Sequence, residues 1–380
     1  MQSVAGHLCN RLQGVKGARI DSCMAPPDDA RPSRVPAQSP RTAATLQQVA
    51  DAAGVHRSTA SRALNPETAH LISPDVSARV AEVAARLGYR RDLLAASLRT
   101  SRTRLVGVLV PDLANTVFAL ILAGIERTLA EHSYAVLVAE ARGADEGLEL
   151  VESLVSRRTE GLILATVRED DPVLARCLEH GLPTALVNRA DPARRVPAAT
   201  PDDREGMALA VRHLMGLGHR SIGHLAGPQD ISTGKLRAQG FRAAMRKAGL
   251  KVGPIEPAAA YTREAGQTAA ERLLDRQAGL TAIAAANDLL ALGAYGALAA
   301  RGLACPDAVS VTGHNDMPLV DMVHPPLTTV RIAHEQLGSE AVRLLLERIA
   351  RPEAPATQVR TVPALIPRGS TAPANRRREG

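Results

Sequence analysis

From Thr45 onward the apolar residues follow a helical period. Leu46, Val49, Ala50 and Ala53 stand at i, i+3, i+4 and i+7, one face of a short helix. Gly54-Val55 interrupts it. A second short helix is predicted from Arg57 to Leu64, with Ala60 and Leu64 inward and Asn65-Pro66 as its stop. Ser73 followed by Pro74 reads as an N-cap with proline at the first helical position. Val76, Val80, Val83, Ala84 and Leu87 give a third helix its stripe, and Gly88 takes the place just past its end. Three short helices make a small core that is marginal alone.

Residues 89–103 (YRRDLLAASLRTSRT) form a basic connector with a short helix predicted over Asp92–Arg99. Beyond it the period changes. Apolar strand candidates occur at 105–110, 134–139, 161–166, 183–187, 221–226, 281–286 and 308–312, separated by amphipathic helices. That alternation predicts an α/β fold with doubly wound parallel sheets. About 270 residues exceed one ordinary sheet domain, so two lobes are expected. Residues 1–43 carry Pro26, Pro27, Pro32, Pro36 and Pro40 among Ser, Asp and Arg without a period, and read as a disordered arm. Met24 as the true start, or a basic arm that assists on DNA, are alternatives. Residues 372–380, with Arg376, Arg377 and Arg378, read as a disordered tail.

Composition narrows the classes. Of 380 residues 45% are hydrophobic and 22% charged, ordinary globular values. No apolar run reaches the roughly 18 residues of a membrane helix. No apolar block follows Arg11 and Lys16, which argues against export. Cys9, Cys23, Cys177 and Cys305 form no CxxC or CxxH spacing, so neither metal nor disulfide framework is expected and a cytoplasmic setting fits. The net charge of +7 permits nucleic-acid binding without showing it. Enzyme signatures fail. Gly227 to Gly234-Lys235 is spaced wrongly for a phosphate loop and Leu236 follows it. Gly216-Leu217-Gly218 lacks the third glycine of a dinucleotide fingerprint. No catalytic residue and no cofactor is expected. A solute-binding protein would share the two lobes but would need an export signal and no DNA-reading segment.

Helix, turn and second short helix with exposed polar residues describe a helix-turn-helix, whose second helix enters the major groove. Arg57, Ser58 and Arg62 lie opposite Ala60 and Leu64. Arginine bridges O6 and N7 of guanine, and serine donates or accepts. Thr59 and Ser61 suit phosphates or packing. An ordinary three-helix packing unit is the alternative reading of the same pattern.

TLQQVADAAGVHRSTASRALN (45–65) and ISPDVSARVAEVAARLGYRRDLLAASLRT (72–100) resemble the helix-turn-helix and hinge of the lactose-repressor/purine-repressor (LacI/GalR) family of bacterial transcription regulators. The likeness continues through GVLVPDLANTVF (107–118), HLMGLGHRSIGHLAGP (213–228), AANDLLALGAYGAL (285–298) and HPPLTTV (324–330). It implies a helix-turn-helix domain at 44–88, a hinge at 89–103 and a core at 104–371 resembling periplasmic binding proteins. Its lobes would be 104–200 with 334–361, and 201–330 with 362–371. It implies a homodimer on a palindromic operator of two half-sites, repression as the commoner sign, and a small-molecule effector between the lobes. The hinge would fold on DNA and place Leu98 as a minor-groove wedge. Two departures stand out: Arg91-Asp92 where the family often has Pro-Asn, and His56 where Ser or Thr opens the second helix. The histidine leaves two readings, a weakened cap or a phosphate contact.

By the same resemblance the effector residues are Asp112, Asn115, Phe118, Asn188, Arg237, Tyr261, Asn287 and Asn315. Phe118 and Tyr261 offer flat apolar faces to a sugar or base ring. Arg237 offers a fork of donors. Tyr89, Phe241 and Tyr295 are assigned to packing. Asn188 and Asn315 stand where relatives often carry carboxylates, so beside Arg237 an effector with a negative group, such as a sugar acid or phosphate, is a hypothesis.

Overall fold

The computed structural model describes residues 44–65, 68–89 and 102–374. The chain divides into two compact units, 1–91 and 92–380. The expected arm, most of the connector with its predicted helix, and residues 375–380 lie outside the described residues.

In the first unit, α1 (Leu46–Ala52), α2 (Arg57–Ala63) and α3 (Pro74–Arg86) enclose Val49, Ala50, Ala60, Val80, Val83 and Ala84. Thr45 and Gln48 form a reciprocal capping box that fixes the start of α1. Gly54 turns the chain at φ +66°, a left-handed conformation that glycine adopts without a Cβ penalty. Two expectations need correction. Ser73 stands at the N-cap of α3, but its side chain makes no capping bond. Leu87 is 39% exposed and does not complete the stripe. Gly88 does stand just past the helix end, at φ +63°: Gly88 N donates to Ala85 O and Tyr89 N to Ala84 O, and the Tyr89 ring packs on the core where Leu87 does not.

The second unit holds two parallel sheets. The first contains β1 (Leu105–Val110), β2 (Ala135–Glu140), β3 (Gly161–Leu164), β4 (Thr184–Val187), β5 (Ala198–Pro201) and β11 (Gln358–Thr361), in the order β11-β5-β4-β3-β1-β2. One face is covered by α4 (Thr116–Glu131) and α11 (His334–Ala350), the other by α5 (Ala144–Ser156) and α6 (Pro172–Glu179). The second sheet contains β6 (Ile222–Ala226), β7 (Ile255–Pro257), β8 (Ala282–Ala285) and β9 (Ser310–Thr312), in the order β7-β6-β8-β9. It lies between α7 (Asp203–Gly216) with α8 (Ser232–Lys247) and α9 (Arg263–Arg276) with α10 (Asp288–Ala300). The antiparallel pair β10 (Thr329–Arg331) and β12 (Ala364–Ile366) joins the segments that pass between the sheets.

Each of the seven apolar runs contains a strand, and both sheets are parallel and doubly wound. The strands the pattern did not announce, β5, β7, β10, β11 and β12, are three or four residues long. Strand order reverses beside β1 in the first sheet and between β6 and β8 in the second. Such reversals open crevices at the carboxyl ends of the strands. Phe241 is fully buried and stacks on His224, with ring centroids 4.9 Å apart. Tyr295 packs in the second lobe and donates to Pro325 O. The tail begins later than residue 372, because Ala372 O takes the His219 ring and Ala374 N donates to Leu217 O.

Helices α4 and α11 meet backbone to backbone. A Cβ on Gly124 would lie 2.1 Å from Glu335 O, and one on Gly338 would lie 2.2 Å from Ile121 O. Neither carbonyl can yield without moving its helix. Gly124→Val should therefore destabilise the second unit by roughly 1–3 kcal/mol, the usual cost of overpacking, seen as a lower urea midpoint with native-like circular dichroism.

Candidate functional site

In the first unit α2 presents His56, Arg57, Ser58 and Arg62 to solvent, with Thr59 and Ser61 half-buried and Ala60 and Ala63 beneath. His56 does the work of a capping serine: its Nδ1 accepts from Ser58 N at 3.3 Å and lies 2.8 Å from Ser58 Oγ. The cap is thus retained with an imidazole, and Nε2 is left as the proton-bearing nitrogen. Leu98 lies outside the described residues.

In the second unit a cavity of about 530 Å3 opens between the carboxyl ends of the two sheets. Asp112, Asn115, Phe118, Asn188, Arg237, Tyr261, Asn287 and Asn315 all line it. Several also hold local structure. Asn115 caps α4 through Val117 N, and Asn287 caps α10 through Leu290 N. Asp112 accepts from Ala114 N. The Tyr261 hydroxyl lies 3.2 Å from Thr233 Oγ1. Gly227 lets that ring approach: a Cβ there would sit 2.2 Å from the Tyr261 oxygen. Asn188 (φ +64°) and Asn315 (φ +113°) both take left-handed backbone, which asparagine tolerates better than most residues. Such outliers gather where a binding surface dictates the backbone.

Arg237 does not offer the free fork that the sequence suggested. Its Nε donates to Asp203 Oδ1 at 2.7 Å, Nη1 to Ala286 O at 2.6 Å and Nη2 to Asn315 Oδ1 at 3.2 Å, and the residue is 2% exposed. Burial lifts the Asp203 carboxyl above its ordinary range while Arg237 pulls it back. Next to it Asp288 is fully buried, accepting from Thr329 Oγ1 and from Met317 N at 2.8 Å. Burial pushes its carboxyl up to about 7, against the pull of those bonds.

Arg189, Arg168 and Thr233 are wall residues that escaped the sequence reading. Arg189 follows β4 directly, is 7% exposed, and donates through Nη1 to Thr166 O at 2.7 Å. Its neighbour Asn188 has a buried Oδ1 with no partner among the described residues. Arg168 and Thr233 also line the cavity. An arginine immediately after a predicted strand was the available signal for Arg189; its burial was not readable. Arg168 and Glu169, in the loop after β3, reach the other lobe: Arg168 pairs with Asp230, Lys235 pairs with Glu169, and Glu169 N donates to Asp230 O at 2.9 Å. Among the described residues no cluster of His, Cys, Asp and Glu could hold a metal, and no helix is long and apolar enough to cross a membrane.

The family model for bacterial regulatory proteins of the lacI family matches residues 45–92, and that for a periplasmic binding protein-like domain matches 211–371. The HTH-type transcriptional regulator MalR of Streptomyces coelicolor is 37% identical over 344 residues, covering 87% of this chain and 97% of MalR. The chain belongs to the lacI family of bacterial regulatory proteins. It is a DNA-binding transcriptional regulator and not an enzyme. This lacI-family chain is also 29% identical over 330 residues to the ribose operon repressor of Escherichia coli, covering 86% and 99% of the two chains. It superposes on the lac repressor dimer bound to operator and the anti-inducer ONPF with a TM-score of 0.75, at 27% identity, over 87% of this chain and 99% of that one. A CelR–cellobiose complex gives a TM-score of 0.66 at 30% identity, over 86% and 99%.

A sign follows for pH. A carboxyl raised by folding takes up a proton on folding, so its contribution to stability is present below its ordinary pKa and is lost as pH rises through about 7. An amide in Asp288→Asn can accept from Met317 N and donate to Thr329 Oγ1. The variant should lose less stability than the wild type between pH 5 and 8. Paired urea titrations check this, since the buried histidines titrate alike in both proteins.

Proposed function

We propose that this regulator is a homodimeric repressor that reads a two-half-site operator through α2 and answers to a small hydroxylated effector held between its lobes. Arg57, Ser58 and Arg62 meet base edges, His56, Thr59 and Ser61 meet phosphates or support the helix, and Leu98 wedges the minor groove. Asp112, Asn115, Phe118, Asn188, Arg237, Tyr261, Asn287 and Asn315 serve the effector. A two-fold operator calls for a two-fold protein. The effector acts by binding two lobe arrangements with different affinity. The reader works where its DNA lies, in the cytoplasm on the nucleoid.

The observation that carries this reading is the cavity itself. Eight residues from loops and helix starts spread between 112 and 315 line one space at the carboxyl ends of both sheets, in a chain whose first unit carries an exposed, capped short helix. CelR in its complex holds cellobiose and the lac repressor dimer holds ONPF, the kind of ligand proposed here.

Selection of bound duplexes from a random pool, followed by sugars added to the selected duplex, tests the reading. A palindromic consensus whose affinity shifts with at least one sugar is expected. No preference over bulk genomic fragments overturns it. On that duplex Arg57→Ala or Arg62→Ala should cost roughly 1–3 kcal/mol and relax one operator position. Leu98→Ala should weaken specific binding far more than non-specific binding, and an equal loss of both would remove the wedge.

A further inference from the structure

The charges that line the cavity do not balance evenly along its wall. Arg237 is neutralised by Asp203, Arg168 by Asp230 and Arg142 by Glu140. Arg189 is different. It is 7% exposed, and among the described residues only its Nη1 has a partner, a carbonyl oxygen. It pairs with no carboxylate among the described residues; Asp171 and Asp230 act on it only at a distance. Burial lowers its guanidinium to about 10, the response of a cation without a close counter-ion. A buried charge costs several kcal/mol unless something opposes it. Those two carboxylates are turned to other work: Asp171 accepts from Arg168 N, Val173 N and Leu174 N, and Asp230 pairs with Arg168. Beside Arg189 the unpartnered Asn188 Oδ1 is an acceptor in need of a donor. The Phe118 and Tyr261 rings line the same cavity.

We infer that the effector is a monocarboxylate sugar, an aldonic or uronic acid, whose carboxylate is held by Arg189 and one of whose hydroxyls donates to Asn188 Oδ1. This rests on the cavity being the effector site. One unpaired cation matches one negative charge. A phosphate, at roughly −1.5 to −2, would leave an excess beside Asp112. The planar fork of Arg189 has donors left for a two-point contact with a carboxylate. The residue that selects an acid is therefore Arg189 and not Arg237, whose charge is met by Asp203 and three of whose five N–H donors the protein already holds.

The test is calorimetric titration of the full-length protein with matched panels: D-gluconate, D-galactonate, D-glucuronate and D-galacturonate, the neutral parents glucose, galactose and cellobiose, and glucose 6-phosphate. At least one acid should bind roughly 10–100-fold more tightly than its neutral parent, the gain of a charge-assisted contact. Arg189→Gln should erase that preference, read as the ratio of acid to neutral-parent affinity within the variant, and Arg189→Lys should restore part of it. Circular dichroism of both variants confirms folding. Tighter binding of a neutral sugar or of the phosphate than of every acid, or an acid preference that survives Arg189→Gln, overturns the inference and leaves the effector site standing. No binding of any sugar by the wild type removes the effector site itself, and the inference with it.

Discussion

A guanidinium with almost no access to water organises the second unit. Arg237 ties α8 to the first residue of α7 through Asp203, to the end of β8 through Ala286 O and to the loop after β9 through Asn315. A buried cation cannot be left without partners, so these segments are held in one register by electrostatic necessity. Directly alongside, Asp288 fastens the Thr329 strand and the Met317 loop to α10. The floor of the cavity is thus polar yet satisfied from within. A ligand meets groups already fixed in place, which spares it the cost of ordering them.

The walls above that floor follow from sheet topology. Two parallel sheets, each with a reversal of strand order, send their carboxyl-terminal loops toward one space. Close helix contacts keep the frame compact, with Gly124 and Gly338 letting α4 and α11 touch at the backbone. The left-handed backbone at Asn188 and Asn315 turns amide side chains into the cleft without glycine. In the first unit a histidine supplies the cap that a small hydroxyl residue would ordinarily give.

Periodicity made much of this readable from the residues alone. The three-helix unit, the parallel α/β character and seven strands came from apolar spacing, whereas the cavity residues came from the resemblance to a known family. What stayed hidden depended on contacts between distant segments. Leu87 reads as core until Tyr89 folds back over the same surface. Ser73 reads as a cap, yet Pro74 fixes the helix start without its hydroxyl. β7 and β10 are too short to show a pattern. Arg189 follows a strand and Arg237 sits on a helix, and neither position tells which charge will be met. Only the fold places Asp203 against one and leaves the other with a carbonyl.

The bridges from Arg168 to Asp230 and from Lys235 to Glu169 span the mouth of the cleft, and all four side chains are between a third and a little over half exposed. Wetted pairs of this kind contribute about 0–1 kcal/mol each and fade with added electrolyte. Such a clasp biases the shut arrangement without locking it. What these two links add to holding the lobes together, at most about 2 kcal/mol, is within reach of one bound metabolite or of a change in the surrounding medium.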